Sequence, residues 1–184
     1  MGTINYNTWR GMLVTPVDPN RFEFVYQNWV PRSDDVFIAS FPKSGTTWTQ
    51  QIVRLVYSRG LIRDDDPSLH AIIPWLDDSE DLPDLSAVDA MPSPRVFKSH
   101  NPYPLLPSQL ADVNRLIYVT RNAKDTAVSM YFHTFGFWMY EYDEPIEHFI
   151  GEFIAGRVEY GPYWTHLRSW YEQRDRPNLL VLHY

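Results

Sequence analysis

A short apolar run that halts at a proline and restarts as a helix constrains this chain more than any other stretch. Val36-Phe37-Ile38-Ala39-Ser40 is apolar and rich in strand formers, Phe41-Pro42 ends it, and Lys43-Ser44-Gly45-Thr46-Thr47 turns into Trp48. Trp48, Ile52, Leu55 and Val56 then recur at the spacing of one helical face, with Gln50, Gln51 and Arg54 on the other and Gly60 as a stop. A strand entering a helix through such a loop leaves amide N–H groups unpaired at the positive end of the helix dipole. The loop is therefore an anion site.

The rest of the chain repeats this alternation. Residues 95–99, 115–120 and 179–182 read as strands. Val128, Phe132, Phe135 and Met139 share a helical face, with Ser129 off it in an early turn. Ile146 to Ile154 and Tyr163 to Tyr171 read as further helices, the second opened by Pro162. Alternating strands and helices predict a three-layer α/β fold, a central parallel sheet flanked by helices, with ligands at the carboxyl ends of the strands. One domain over residues 1–184 accommodates all of it. Residues 1–35, aromatic and interrupted by Pro16, Pro19 and Pro31, read as a preamble that packs onto the core without forming it. Residues 61–94 lack periodicity. Their acidic groups, Asp64 to Asp66, Asp77-Asp78 and Glu80-Asp81, have no set ligand spacing and read as a solvated loop rather than a metal site.

Charge and composition exclude several classes of function. With 16 Lys and Arg against 23 Asp and Glu, the net charge of -7 opposes general nucleic-acid binding and adhesion to acidic membranes. Any bound anion must be held by local geometry. The chain has no cysteine, which removes disulfides, thiolate metal sites and a Cys nucleophile. The N-terminus has neither a basic region nor an apolar one, Tyr6 stands where a myristoylation signal needs Ser or Thr, and no apolar run spans a bilayer. A soluble, cytoplasmic protein is expected.

Three strand ends deliver the residues with chemistry: Lys43 with its loop, Lys98 with His100, and Arg121 with Ser129. Taken singly, each has a plain structural role: a surface lysine at a helix start, a strand-edge charge, a turn histidine, a salt-bridge arginine, an incidental serine. Together they form a cationic set with backbone donors and one base, suited to an anionic donor and a transferable anionic group. A Walker A loop requires Gly-x-x-x-x-Gly-Lys-Ser/Thr, but Ala39-Ser40-Phe41-Pro42 precede Lys43 without a glycine. The third strand ends in Thr120-Arg121 and not in a metal-binding Asp. A metal-dependent kinase or NTPase is the weaker alternative.

Pro42-Lys43-Ser44-Gly45-Thr46-Thr47-Trp48 resembles the signature loop of the cytosolic sulfotransferases, enzymes that use 3′-phosphoadenosine 5′-phosphosulfate (PAPS) and release PAP. Arg95-Val96-Phe97-Lys98-Ser99-His100 and Tyr118 through Ser129 match the family in its order, with weaker similarity from Gly156 to Tyr184. The resemblance implies a P-loop-like sulfotransferase fold. It further implies that Lys43 contacts the bridging oxygen of PAPS, that Ser44, Gly45, Thr46 and Thr47 hold the 5′-phosphate, and that Trp48 and Tyr184 lie at the adenine. Arg121 and Ser129 match the pair that holds the 3′-phosphate, His100 the catalytic base, and Lys98 a lysine that assists at the sulfuryl group, with no metal required.

The family's C-terminal segment and its short dimer motif have no counterpart here, which leaves a shortened gene product, or a fold completed by a second polypeptide. A non-catalytic module that binds PAPS or PAP is the alternative of a different class. The expected partners are a small-molecule acceptor and, by resemblance, a second copy or the missing segment. Phe22, Phe24, Phe41, Trp75, Tyr103, His133, Trp138 and Tyr160 are candidates for the acceptor pocket, and their aromatic character favours a flat or apolar hydroxyl compound.

Overall fold

The computed structural model describes residues 3–76, 85–107, 110 and 115–184. Met1-Gly2 and the acidic residues Asp77, Asp78, Glu80 and Asp81 lie outside the described residues. Among the described residues, β3 (Val36–Ser40), β4 (Val96–Ser99), β5 (Arg115–Thr120) and β6 (Leu179–His183) form a parallel sheet in the order β4-β3-β5-β6. Helices α2 (Thr46–Tyr57), α5 (Ala123–Gly136), α6 (Ile146–Ile154) and α7 (Tyr163–Tyr171) make up much of its cover. The order places the loop-bearing strand beside both strands that end in His100 and Arg121.

Period-two alternation divides the sheet's contacts between two cores. Val36 and Ile38 pack with Val53, Ile73, Val96 and Val119 on one side. Phe37 and Ala39 pack on the other with Trp29, Phe97, Leu116, Tyr118 and Trp170. All five residues of β3 are buried, as a central parallel strand requires. Its entry is pinned by Arg95, whose Nε and Nη2 donate to the two carboxylate oxygens of Asp35 at 2.8 and 2.6 Å, both side chains fully buried. This two-pronged pair ties the start of β3 to the start of β4.

The N-terminal region departs from expectation. It forms a hairpin, β1 (Asn7–Trp9) with β2 (Met12–Val14), turned through Arg10 and Gly11 at positive φ, and then α1 (Pro19–Asn28), capped by the Asp18 carboxylate accepting from the Asn20 amide. Trp9, Met12, Val14, Val17 and Phe22 are buried in a core shared with α5 and α6, so this segment helps to form the core. Within residues 61–94 lie two short helices, α3 (Leu69–Ile72) and α4 (Leu85–Asp89), and Trp75 bridges to Lys98 at the edge of β4. Prolines and short spans hid both helices from a periodicity reading. Asp66 accepts from Arg54 at 3.0 Å, a partly buried ion pair.

Two helical faces are also turned the opposite way from an apolar-inward pattern. Trp48, Ile52, Leu55 and Val56 of α2, and Val128, Phe132 and Phe135 of α5, are exposed. The inward faces instead use Thr46, Thr49, Gln50 and Val53, and Thr126, Ala127, Met130 and Thr134. Polar groups face inward on α2 because they have backbone work: Thr49 donates to the Gly45 carbonyl, and Gln50 to that of Ile73. No helix among the described residues is long and apolar enough to cross a membrane.

Candidate functional site

Register brings the chemistry-bearing residues together. Ala39 pairs with Ser99, Ser40 with Val119, and Thr120 with His183, so the chain leaves β3, β4, β5 and β6 at one edge of the sheet. A cavity of about 490 Å³ opens there, lined among others by Lys43, Lys98, His100, Arg121 and Ser129.

The loop after β3 is held in an unusual backbone shape. Lys43 has φ 63° and Gly45 φ 101°, left-handed conformations that cost little for Gly and more for Lys. Arg121 Nη1 donates to the Lys43 carbonyl at 3.0 Å, which locks the turn to the end of β5. The hydroxyls of Ser40 and Thr46 are hydrogen-bonded across its base. A Cβ on Gly45 would stand 2.7 Å from the ring of Tyr184, so that position needs glycine for space as well as for φ. The start of α2 has no side-chain cap, and the buried Ser44 hydroxyl has no partner among the described residues. These are groups arranged to meet an anion. The Arg121 guanidinium lies 5.2 Å over the Tyr184 ring, while Trp48 stands 62% exposed beside the loop.

At the end of β4, His100 is buried with Nδ1 2.9 Å from the Ser40 carbonyl. A carbonyl only accepts, so Nδ1 carries the proton and Nε2 the lone pair. Burial, with the charge of Lys98 adding to it, depresses the imidazole to about 3, so it is neutral in ordinary buffers. Lys98 is buried, its Nζ 4.6 Å over the Trp75 ring. Trp75 and Tyr160 set their rings 5.3 and 5.5 Å from that of His100. Burial lowers the Lys43 ammonium, an effect that Arg121 reinforces and Glu159 opposes.

The acceptor-pocket candidates divide. Trp75, His133 and Tyr160 line the cavity. Phe22, Phe41 and Tyr103 are not among its lining: Phe22 packs on Trp9, Phe41 on Phe153, Tyr163 and His166, and Tyr103 on Trp170. Phe24 and Trp138 are exposed. Aromatic residue type could not separate core from pocket, because both use the same rings. Two residues escaped a reading of motifs. Glu159 is buried in the cavity wall. His166, on the buried face of α7 with Tyr163 and Trp170, hydrogen-bonds the His100 carbonyl; its spacing from those two aromatics was the available signal. Among the described residues no cluster of three or more His, Cys, Asp or Glu could hold a metal ion.

The family description "Sulfotransferase domain" matches residues 33–184. The chain is 35% identical over 167 residues to mouse (Mus musculus) "Sulfotransferase 1 family member D1", covering 86% of this chain and 55% of that protein. It is also 35% identical over 157 residues to human (Homo sapiens) "Sulfotransferase 1E1", covering 83% of this chain and 53% of the relative. It thus spans little more than half the length of these relatives. Among solved structures, mouse sulfotransferase SULT7A1 complexed with PAP superposes with a TM-score of 0.79 at 26% identity, covering 97% of this chain and 61% of the other. A retinol dehydratase in complex with androsterone and inactive cofactor PAP shares the fold with a TM-score of 0.78 at 24% identity, covering 94% and 60%.

Proposed function

The chain belongs to the sulfotransferase family, and from that membership we propose that it transfers the sulfuryl group of PAPS to a hydroxyl or amine of a small aromatic or apolar acceptor, with His100 as base. The observation that carries this reading is the convergence of Lys43, Arg121 and His100, from three different strand ends, on one cavity.

The residues suit PAPS. The uncapped start of α2, the unpartnered Ser44 hydroxyl and the half-buried Lys43 ammonium are groups for a 5′-phosphosulfate, with Gly45, Thr46 and Thr47 completing the loop. Arg121 and Ser129 would take the 3′-phosphate, and Trp48 and Tyr184 the adenine. When bound, PAPS supplies the sulfuryl group and a phosphate leaving group. His100 Nε2, held neutral, accepts the proton of the acceptor hydroxyl or amine as it attacks. Lys43 and Lys98 are cations in a partly dry site, where they stabilise charge that builds on oxygen far more than they would in water.

A second reading, a module that binds PAPS or PAP without turnover, is supported by the uncapped start of α2 and the unpartnered Ser44 hydroxyl, which call for an anion and not for a reaction. Calorimetric titration with PAP, together with transfer of labelled sulfate from PAPS to a panel of phenols and alcohols, decides between them. Labelled product supports the transferase, and binding without product supports the module. Absence of PAP binding overturns both.

A further inference from the structure

His100 stands one residue beyond β4, past the ladder whose last pair is Ala39 with Ser99, so the sheet no longer fixes it. A helix takes over. Tyr163, His166 and Trp170 recur at i, i+3 and i+7 on the buried face of α7, and each gives a donor to a backbone carbonyl in the segments that follow β4 and β5. The Tyr163 hydroxyl donates to the Arg121 carbonyl, His166 Nε2 to that of His100 at 2.9 Å, and Trp170 Nε1 to that of Asn101 at 3.1 Å. From the same helix the Ser169 hydroxyl accepts from the Tyr103 amide at 3.2 Å. Among these groups His166 has a partner behind it. The Tyr118 hydroxyl donates to its Nδ1 at 3.2 Å, which keeps the ring proton on Nε2, where the His100 carbonyl needs it. The imidazole is 1% exposed, stacked on Tyr118 at 5.9 Å, and met edge-on at 5.4 Å by Phe41, the residue that leads into Pro42-Lys43. One ring therefore touches the middle of β5, the entry to the anion loop and the residue that bears the base.

We infer that His166 is a positioning residue for sulfuryl transfer, an inference that rests on the sulfotransferase reading of the site. It holds the backbone of His100 while the Ser40 carbonyl holds the ring at Nδ1, and the two anchors together fix the direction in which Nε2 meets the proton of the acceptor. A ring anchored at Nδ1 alone can swivel about that bond. A misplacement of about 1 Å at the group that takes the proton is enough to cost on the order of 100-fold in rate. His166 itself touches no reacting atom in this arrangement; its effect passes through His100.

The test uses the 184-residue chain with nitrogen-15 histidine, the His100 signals being assigned by their loss in His100→Ala. Nitrogen NMR at pH 7 is paired with calorimetric titration of PAP and with single-turnover transfer of labelled sulfate from PAPS to phenol. The parent chain should show one His100 tautomer, protonated at Nδ1. His166→Leu should mix the two tautomers and slow transfer by ~10- to 100-fold, with PAP affinity within about 3-fold of the parent. Tyr118→Phe keeps the ring stack and removes only the hydroxyl behind His166, so a smaller loss of the same kind is expected, and it carries the comparison if His166→Leu does not fold. His166→Gln, whose amide can donate to the same carbonyl, should recover most of both readouts. Asp35→Ala, destabilised at the other end of the sheet, should keep the single tautomer. An unmixed tautomer or an unchanged rate in His166→Leu overturns the proposal, and so does a rate loss that only tracks lost PAP affinity. Tautomer mixing in Asp35→Ala overturns it as well, by assigning the effect to stability alone. If the parent chain forms no sulfated phenol, the sulfotransferase reading falls by itself, and the His100 tautomer still decides whether His166 positions that ring.

Discussion

His166 Nε2 lies 2.9 Å from the backbone carbonyl of His100, and its Nδ1 lies 3.2 Å from the Tyr118 hydroxyl. The carbonyl accepts, so Nε2 carries the proton and Tyr118 donates to Nδ1. A core tyrosine on the middle of β5 is thus linked through a buried imidazole to the residue that bears the base. His166→Leu fills the volume but strands a buried carbonyl and a buried hydroxyl. A loss of about 2–4 kcal/mol in unfolding free energy, read by urea titration, is the expected outcome. An unchanged midpoint would show that the two bonds contribute nothing net.

His100→Ala should leave PAP binding nearly intact and lower turnover by about 100-fold or more. Lys43→Ala should cost on the order of 3 kcal/mol of transition-state stabilisation, by analogy with the loss of an oxyanion donor. Single-turnover rates at saturating PAPS measure both. Unchanged rates would remove each residue from the mechanism.

Two ion pairs make a contrast in stability. Asp35→Ala leaves Arg95 charged and buried at the start of the sheet, and should cost about 3–5 kcal/mol. Glu172→Ala removes the exposed partner of Arg168 and should cost under about 0.5 kcal/mol. Thermal unfolding of the two variants side by side checks the ranking.

Acid should weaken the fold well above the carboxylate range. His100 and His166 are depressed by burial to about 3 and about 4, below the ordinary 6.5. Between those values and 6.5 the unfolded chain binds more protons, so stability rises with pH through that window. Glu159 acts in the opposite sense: raised from 4.5 to about 7, it contributes stability that is present below 4.5 and lost as pH climbs to 7. Urea midpoints should fall from pH 6.5 to pH 4, and Glu159→Gln should gain on the parent chain at pH 8 relative to pH 5.

What the sequence disclosed follows from which signals are local. The strand span at Val36–Ser40 could be read because a parallel strand buried on both faces is a continuous apolar run bounded by turns, and Arg115–Thr120, half-buried on one face, still carries such a run at Leu116 to Val119. The loop from Pro42 to Trp48 was legible because its chemistry depends on neighbours in sequence. Phe22 and Phe41 were misplaced because whether a ring faces a core or a cavity depends on residues far along the chain. The apolar faces of α2 and α5 misled for a related reason: periodicity tells which residues share a face, and the sheet alone tells which face is inward. Glu159 and His166 needed both kinds of information.

The two borders of the sheet are finished differently. Beside β4, Pro74 and Leu76 exchange backbone hydrogen bonds with Lys98, so that border is sealed by the chain itself. At β6 the sheet ends, among the described residues, on a strand with Leu180 and Leu182 exposed. Such a border is a template for another strand. A strand added there would lie beyond β5 and β6 from the loop-bearing β3, and a dilution series beside each titration would separate its effect on apparent affinity from events in the cavity.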